Sequence, residues 1–138
     1  MTEKLLYSSI TEKILGSYYS ITKVITYGLP IDIYRNALMI ELEYNKLQVE
    51  RDYEIGINYR DKKVGTLQVD FLVEKKVIVQ LVAEVEITTE TLDWIKRVLR
   101  NSPYEICLVL NPNGDGGYKR IIFTNDFKQK IKREKNGK

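Results

Sequence analysis

Hydrophobic residues recur with a helical period near the start of the chain. Between Thr11 and Thr26 they stand three or four residues apart, as on one face of an amphipathic helix. These positions are Ile14, Tyr18, Ile21 and Ile25. The Gly28-Leu29-Pro30 segment ends the pattern, and Pro30 is suited to the first turn of a second helix, predicted from about Ile31 to Lys46.

The period then changes from helical to twofold, which predicts strands. Residues Tyr53 to Tyr59 alternate between apolar and polar, and the Asp61-Lys62-Lys63 segment predicts a turn. In the following run, alternate residues are expected to share the apolar face of a strand and to leave Asp70 on the opposite face. The residues of that apolar face are Leu67, Val69, Phe71 and Val73.

A second apolar run follows the tight Glu74-Lys75-Lys76 turn. From Val77 to Val85 it is apolar on both faces apart from Gln80 and Glu84. Strands of a parallel sheet that are covered on both sides have such continuous apolar runs, so this run predicts a central strand. Asp70 and Gln80 are then expected to lie on adjacent strands of one hairpin.

The rest of the chain alternates between helix and strand signals. Thr88 or Thr89 can cap a third helix that ends near Asn101. The elements predicted after it are a buried strand from Tyr104 to Leu110, a strand from Tyr118 to Thr124 and a helix opened by Asn125 or Asp126. This order favours an α/β fold with one mixed sheet of about five or six strands flanked by helices. The segment from Val77 to Leu110 predicts a right-handed crossover between parallel strands.

Length and charge indicate one domain with a basic end. Residues 1–127 are predicted to form the domain and residues 128–138 a C-terminal tail, which carries six basic groups and one acidic group. The rest of the chain has a net charge of −2, which is not the charge of a basic DNA-binding surface. No segment approaches the roughly 18 apolar residues of a membrane span, and the N-terminus lacks the layout of a signal peptide. A soluble, cytoplasmic protein without membrane contact is therefore expected.

The chain contains no histidine and one cysteine. Ser-His-Asp and Cys-His nucleophiles, His-ligated zinc and His general bases are therefore excluded. Cys107 lies within an apolar run and is interpreted as a small core residue. Catalysis would have to come from carboxylates, Lys, Tyr or a metal held by oxygen ligands.

An ordered series of residues from about Gly28 to Arg120 carries a family resemblance. The series comprises Gly28-Leu29, Tyr34, Glu41-Leu42, Val49-Glu50-Arg51, Tyr59, Asp70-Phe71-Leu72-Val73, Val77-Ile78-Val79, Leu81, Ala83, Leu99, Leu108, Asn111 and Lys119-Arg120-Ile121-Ile122. It resembles the GxxExxY proteins, a branch of the PD-(D/E)XK nuclease superfamily. The resemblance implies a restriction-endonuclease-like α/β/α core and a metal-dependent nuclease site.

The departures from the family pattern fall on its catalytic positions. In the site that the resemblance implies, an Asp and a Glu hold a divalent cation, and a Lys two residues beyond the Glu orients the attacking water. Asp70 matches the Asp, whereas Gln80 replaces the Glu and Val82 the Lys. The family's motif Glu and its helical Gln and Tyr fall on Ile31, Trp94 and Val98. Asp70 and Gln80 are thus interpreted as a vestigial catalytic pair.

Three functions remain open. The preferred hypothesis is a degenerate nuclease-like protein, with no cofactor, that binds a protein partner or forms a homo-oligomer. The second is a weakly active Mg²⁺-dependent nuclease in which Asp70 works with a displaced carboxylate from Asp32, Glu84 or Glu50. The third is a nucleic-acid-binding module whose basic tail contacts the phosphate backbone. The tail residues considered are Lys128, Lys130, Lys132 and Arg133.

Overall fold

A computed structural model describes residues 6–114 and 117–136, with side chains as far as residue 133 of the last helix. The elements in chain order are α1 (Ser8–Ile25), α2 (Ile31–Tyr44), β1 (Val49–Tyr59), β2 (Lys62–Val73), β3 (Val77–Leu81), α3 (Thr89–Arg100), β4 (Ile106–Leu110), β5 (Tyr118–Ile122) and α4 (Asn125–Asn136). Every predicted helix and strand is present, with ends that differ by a few residues. The last two residues of the predicted tail lie outside the described residues.

The five strands form one mixed sheet in the order β1-β2-β3-β4-β5. Among the described strands, β3 and β4 are parallel and α3 connects them, whereas the other neighbouring strands are antiparallel. The predicted mixed sheet and parallel crossover are thus confirmed. Among the described residues, no helix is long and apolar enough to cross a membrane.

Two hydrophobic clusters cover the two faces of the sheet. The first joins α1 and α2 to alternate residues of β3 and β4, and the second joins α3 to the residues between them. The predicted stripes of α1 and α2 supply the first cluster, because Ile14, Tyr18 and Leu38 are fully buried there. The α/β/α layering expected from the resemblance is confirmed.

The β1–β2 hairpin changes face along its length. Phe71 and Val73 pack with α1 and α2, whereas Val69 and the partly buried Leu67 pack on the α3 side. The prediction that these four residues share one face is therefore wrong. The change occurs at Asp52, which has a left-handed φ of 52° and stands between the paired positions Arg51–Phe71 and Tyr53–Val69. A residue in that conformation interrupts the extended strand and redirects the side chains beyond it.

The third strand is shorter than predicted. It ends at Leu81, and the apolar residues from Val82 to Val85 belong to the loop before α3. The main chain of Glu84 is held there by side chains: its N–H donates to Asn111 Oδ1 at 3.1 Å, and its carbonyl accepts from Asn111 Nδ2 at 2.8 Å. The Val82 N–H still donates to the Leu110 carbonyl of β4 at 2.9 Å, and beyond it amide side chains satisfy the backbone of Glu84.

Candidate functional site

Asp70 and Gln80 lie where β2 and β3 separate. The two strands are paired from Val73–Val77 to Phe71–Val79, and the next residue on each strand is Asp70 or Gln80. We call the group formed by Asp70, Gln80, Leu81 and Arg35 the fork. The sequence-based prediction that Asp70 and Gln80 lie on adjacent strands of a hairpin is confirmed.

Side chains replace the backbone ladder within the fork. The Asp70 N–H donates to Gln80 Oε1 at 3.0 Å, and the Leu81 N–H donates to Asp70 Oδ2 at 2.8 Å. Each residue thus supplies the acceptor that the opposite strand lacks. Since an unpaired buried N–H would be costly, both side chains have a structural use at the point where the strands separate.

The second carboxylate oxygen of Asp70 binds Arg35 of α2. Arg35 Nε donates to Asp70 Oδ1 at 2.8 Å, and Arg35 Nη1 donates to Asp32 Oδ1 at 2.7 Å. The side chain of Asp70 is 10% exposed, that of Arg35 24% and that of Asp32 78%. The structure therefore brings together two of the predicted metal ligands, Asp70 and Asp32, with a guanidinium between them.

The charges around Arg35 favour its protonated form. Partial burial acts to lower the pKa of Arg35, but the hydrogen bond to Asp32 and the negative charge of Asp70 outweigh it and raise the pKa above its ordinary value. Arg35 is thus a permanent positive charge beside Asp70.

The residues of the fork do not fit a divalent cation. Mg²⁺ takes near-octahedral oxygen ligands, whereas Asp70 presents one oxygen to a guanidinium and the other to a backbone N–H. Gln80 brings an amide oxygen that is already an acceptor. Within the described part of the chain, no group of three or more His, Cys, Asp or Glu side chains is placed to hold a metal ion.

Glu84, another of the predicted displaced metal ligands, binds residues at the start of α3. Its carboxylate accepts from the Thr88 N–H at 3.0 Å and from Thr91 Oγ1 at 2.6 Å. Thr88 caps the helix as predicted, because its Oγ1 accepts from the Thr91 N–H. Glu84 therefore fixes the loop between β3 and α3. Glu50, on β1, is exposed.

An open cleft of about 510 Å³ lies between the end of β3 and α3. The residues lining it, which we call the cleft residues, are Gln80, Val82, Glu84, Thr88, Glu90, Thr91, Trp94 and Ile95. The resemblance predicted polar residues at the positions of Val82 and Trp94, and Trp94 is 46% exposed. Asp70 does not belong to this lining, whereas Val98 is buried in the core on the α3 side.

The predicted tail residues lie on α4, which runs across the expected domain boundary at residue 127. The Lys128 ammonium donates to the carbonyls of Ser102 and Tyr104. Burial lowers the pKa of Lys128, against the charge of Glu105. Lys128 thus attaches the helix to the domain, while Lys130, Lys132 and Arg133 are exposed.

Arg35 is the residue of this site that the sequence did not indicate. Its pairing with Asp32, three residues away on a helix, is visible in the sequence. The contact with Asp70 spans 35 positions and depends on how α2 packs against the sheet. No local pattern carries that information.

One comparison with known proteins identifies a family. The family model described as the PD-(D/E)XK nuclease superfamily matches residues 8–121. No curated protein and no solved structure matches the chain.

Proposed function

The chain belongs to the PD-(D/E)XK nuclease superfamily, and we propose that it is a catalytically degenerate member, of the GxxExxY branch, that acts by binding a protein partner or by self-association. The nuclease fold then serves as a scaffold. Its former catalytic positions serve stability or contact.

The pairing of Arg35 with Asp70 is the observation that carries this proposal. In a two-carboxylate nuclease site the Asp binds a cation through its free oxygens. Here the guanidinium lies 2.8 Å from one oxygen, so a divalent cation at Asp70 would meet a fixed positive charge at close range. That repulsion is strong because the carboxylate is nearly buried.

The residues at the other two positions support the same conclusion. Gln80 carries no charge and already accepts the Asp70 N–H. Val82 offers no proton donor or acceptor on its side chain, so it cannot orient a water. Neither position supplies what the metal-dependent reaction requires.

A cleavage assay tests the loss of activity. The full chain is incubated with Mg²⁺ or Mn²⁺ and single- or double-stranded DNA or RNA, beside the Asp70→Ala variant. We expect no cutting that depends on Asp70. Cleavage by the natural sequence that disappears in Asp70→Ala would refute the proposal.

Restoring the lost groups tests the geometry. Gln80→Glu with Val82→Lys returns the family residues but leaves Arg35 in place, so this double variant is expected to bind Mn²⁺ no better than the natural chain. Adding Arg35→Gln removes the competing cation, and the triple variant should gain Mn²⁺ binding, measured by calorimetry. Equal metal binding by the double and triple variants would show that Arg35 does not block the site.

Exposed cations on α4 favour nucleic-acid binding as a second candidate function. Lys130, Lys132 and Arg133 are all exposed and belong to a helix held to the domain by Lys128. On this second function the natural chain binds DNA or RNA with an affinity that falls as salt rises, and changing these three residues to Glu should abolish that binding. Because Lys128 is retained, the variant keeps the anchoring of α4 and is a sharper test than truncation.

A further inference from the structure

Helix α2 exposes a second apolar stripe away from its buried face. Ile33, Ile40 and Tyr44 are 41%, 68% and 77% exposed, and Ala37, which is half-buried and also packs against the first hydrophobic cluster, stands between them. Successive members are four, three and four residues apart, which aligns them along the helix. We call these four residues the stripe. The face packed on the sheet consists of Tyr34, Leu38 and Leu42.

The stripe differs from scattered surface hydrophobics, which need no explanation. Val24 of α1 is 82% exposed, but Ser20 and Ser17 stand four and seven residues before it. In the stripe, by contrast, Ala37, Ile40 and Tyr44 stand four, seven and eleven residues after Ile33, and all are apolar. A row of apolar side chains at this spacing is typical of a helix that packs against another helix.

We propose that the stripe is a homodimer interface in which α2 of a second copy packs antiparallel on α2. In this antiparallel arrangement Ile40 contacts Ala37 of the second copy, and Tyr44 contacts Ile33 of the second copy. Large side chains then meet smaller ones, as close packing requires. A two-fold axis makes one patch complementary to itself, and this is the commonest symmetry of soluble oligomers.

Charges beside the stripe favour the antiparallel direction. Arg51 of β1 donates to Asn36 Oδ1 at 2.7 Å, which holds its guanidinium beside α2. Asn36 and Glu43 are seven residues apart and therefore flank the stripe on the same side. Antiparallel packing brings Glu43 next to Asn36 of the second copy, and so close to Arg51 of that copy. In parallel packing the corresponding flanks of the two copies lie on opposite sides of the seam, so Glu43 would meet neither Asn36 nor Arg51 of the second copy.

The size of the stripe sets the expected affinity. A standard stable interface buries about 800 Å² on each partner, and four side chains with their flanking charges provide less than this. The dimer is therefore expected to depend on concentration. The inference rests on the self-association named in the proposed function but does not depend on the loss of catalysis, because mass and cleavage are separate measurements.

Sedimentation velocity of the full chain over a wide range of concentrations tests the interface. We expect reversible dimers that Ile40→Glu weakens by about a hundredfold or more, because a symmetric interface would bury two carboxylates. Val24→Glu makes the same change at a more exposed site on α1 and should leave the dimer unaffected. Circular dichroism checks that each variant is folded, and Tyr44→Lys replaces Ile40→Glu if the latter does not fold.

Disulfide cross-linking tests the direction. A chain with Ala37→Cys is mixed with a chain carrying Ile40→Cys, and the mixed pair should cross-link faster than either chain alone. The natural Cys107 is fully buried and does not compete. Monomers at every concentration, equal effects of Ile40→Glu and Val24→Glu, or faster cross-linking within each single-variant chain would overturn the proposal.

Discussion

The fork and the cleft lie at the same end of β3, but they differ in what they leave available. In the fork, both oxygens of Asp70 have partners and the carboxylate is nearly buried. In the cleft there is open space, but Val82, Trp94 and Ile95 contribute apolar surface to it. A metal-dependent nuclease needs charge and space at one place. The cleft does hold two carboxylates, but that of Glu84 is bound by Thr88 and Thr91, and the buried carboxylate of Asp70 lies outside the cleft.

The reactivity of cysteine should show the largest difference between the two regions. Burial, followed by the charge of Asp70, raises the pKa of the Cys107 thiol, so it stays protonated at ordinary pH. A cysteine introduced by Val82→Cys would line the open cleft. We expect it to react with a thiol reagent at least about a thousandfold faster than Cys107, which must wait for an opening of the core. Comparable rates would show that the core opens as readily as the cleft.

Among changes within the fork, removing the guanidinium should produce the largest loss of stability. Arg35→Met leaves the nearly buried Asp70 carboxylate without its cation, and we expect a loss of about 2–3 kcal/mol in the free energy of unfolding. This is below the range for a fully buried pair because a quarter of the Arg35 side chain is exposed. Urea unfolding measures the effect, and Arg100→Met on the exposed side of α3 serves as control. Equal stability of the two variants would mean that the pair contributes little.

Replacing the fork amide should have a smaller effect. Gln80→Leu keeps the approximate volume but removes the acceptor for the Asp70 N–H, at a cost of about 1–2 kcal/mol. Gln68→Leu changes an exposed residue on β2 and should stay within about 0.5 kcal/mol of the natural chain. If Gln80→Leu unfolds at the same urea concentration as the control, water satisfies that N–H.

The cleft should tolerate a charge that the core does not. In Val82→Lys the new ammonium can reach solvent through the open cleft, so we expect a loss below about 1 kcal/mol. Val79→Lys, three residues earlier and fully buried, should prevent stable folding. The same urea titration compares them, and a large loss in Val82→Lys would show that the cleft is closed in solution.

The sequence predicted the helices and strands wherever their buried residues recur with a regular helical or twofold period. The stripes of α1 and α2 and the capping by Thr88 are local signals, and each predicted its element. The end of β3 was missed because Val82 and Val85 are apolar, yet the main chain of Glu84 between them binds the amide side chain of Asn111 and not a neighbouring strand. The change of face at Asp52 was missed because one left-handed residue is invisible to a count of alternating positions.

The sequence predicted two of the residues that form the candidate site but not which groups bind their side chains. Spacing and resemblance indicated Asp70 and Gln80, and the structure places them together. Their partners depend on contacts between elements: Arg35 reaches Asp70 from another layer, and Leu81 offers its N–H only because the strands separate there. Tertiary packing determines which groups donate hydrogen bonds to a carboxylate, and a single sequence does not reveal that packing.

The change of face within the β1–β2 hairpin has a consequence for how the molecule unfolds. Phe71 and Val73 of the hairpin pack with α1 and α2, whereas Ile55, Val69 and Leu72 pack with α3, so the same two strands belong to both hydrophobic clusters. Neither cluster can melt without withdrawing part of this hairpin from the other. The two layers should therefore behave as one cooperative unit, with a single unfolding transition whichever layer is probed.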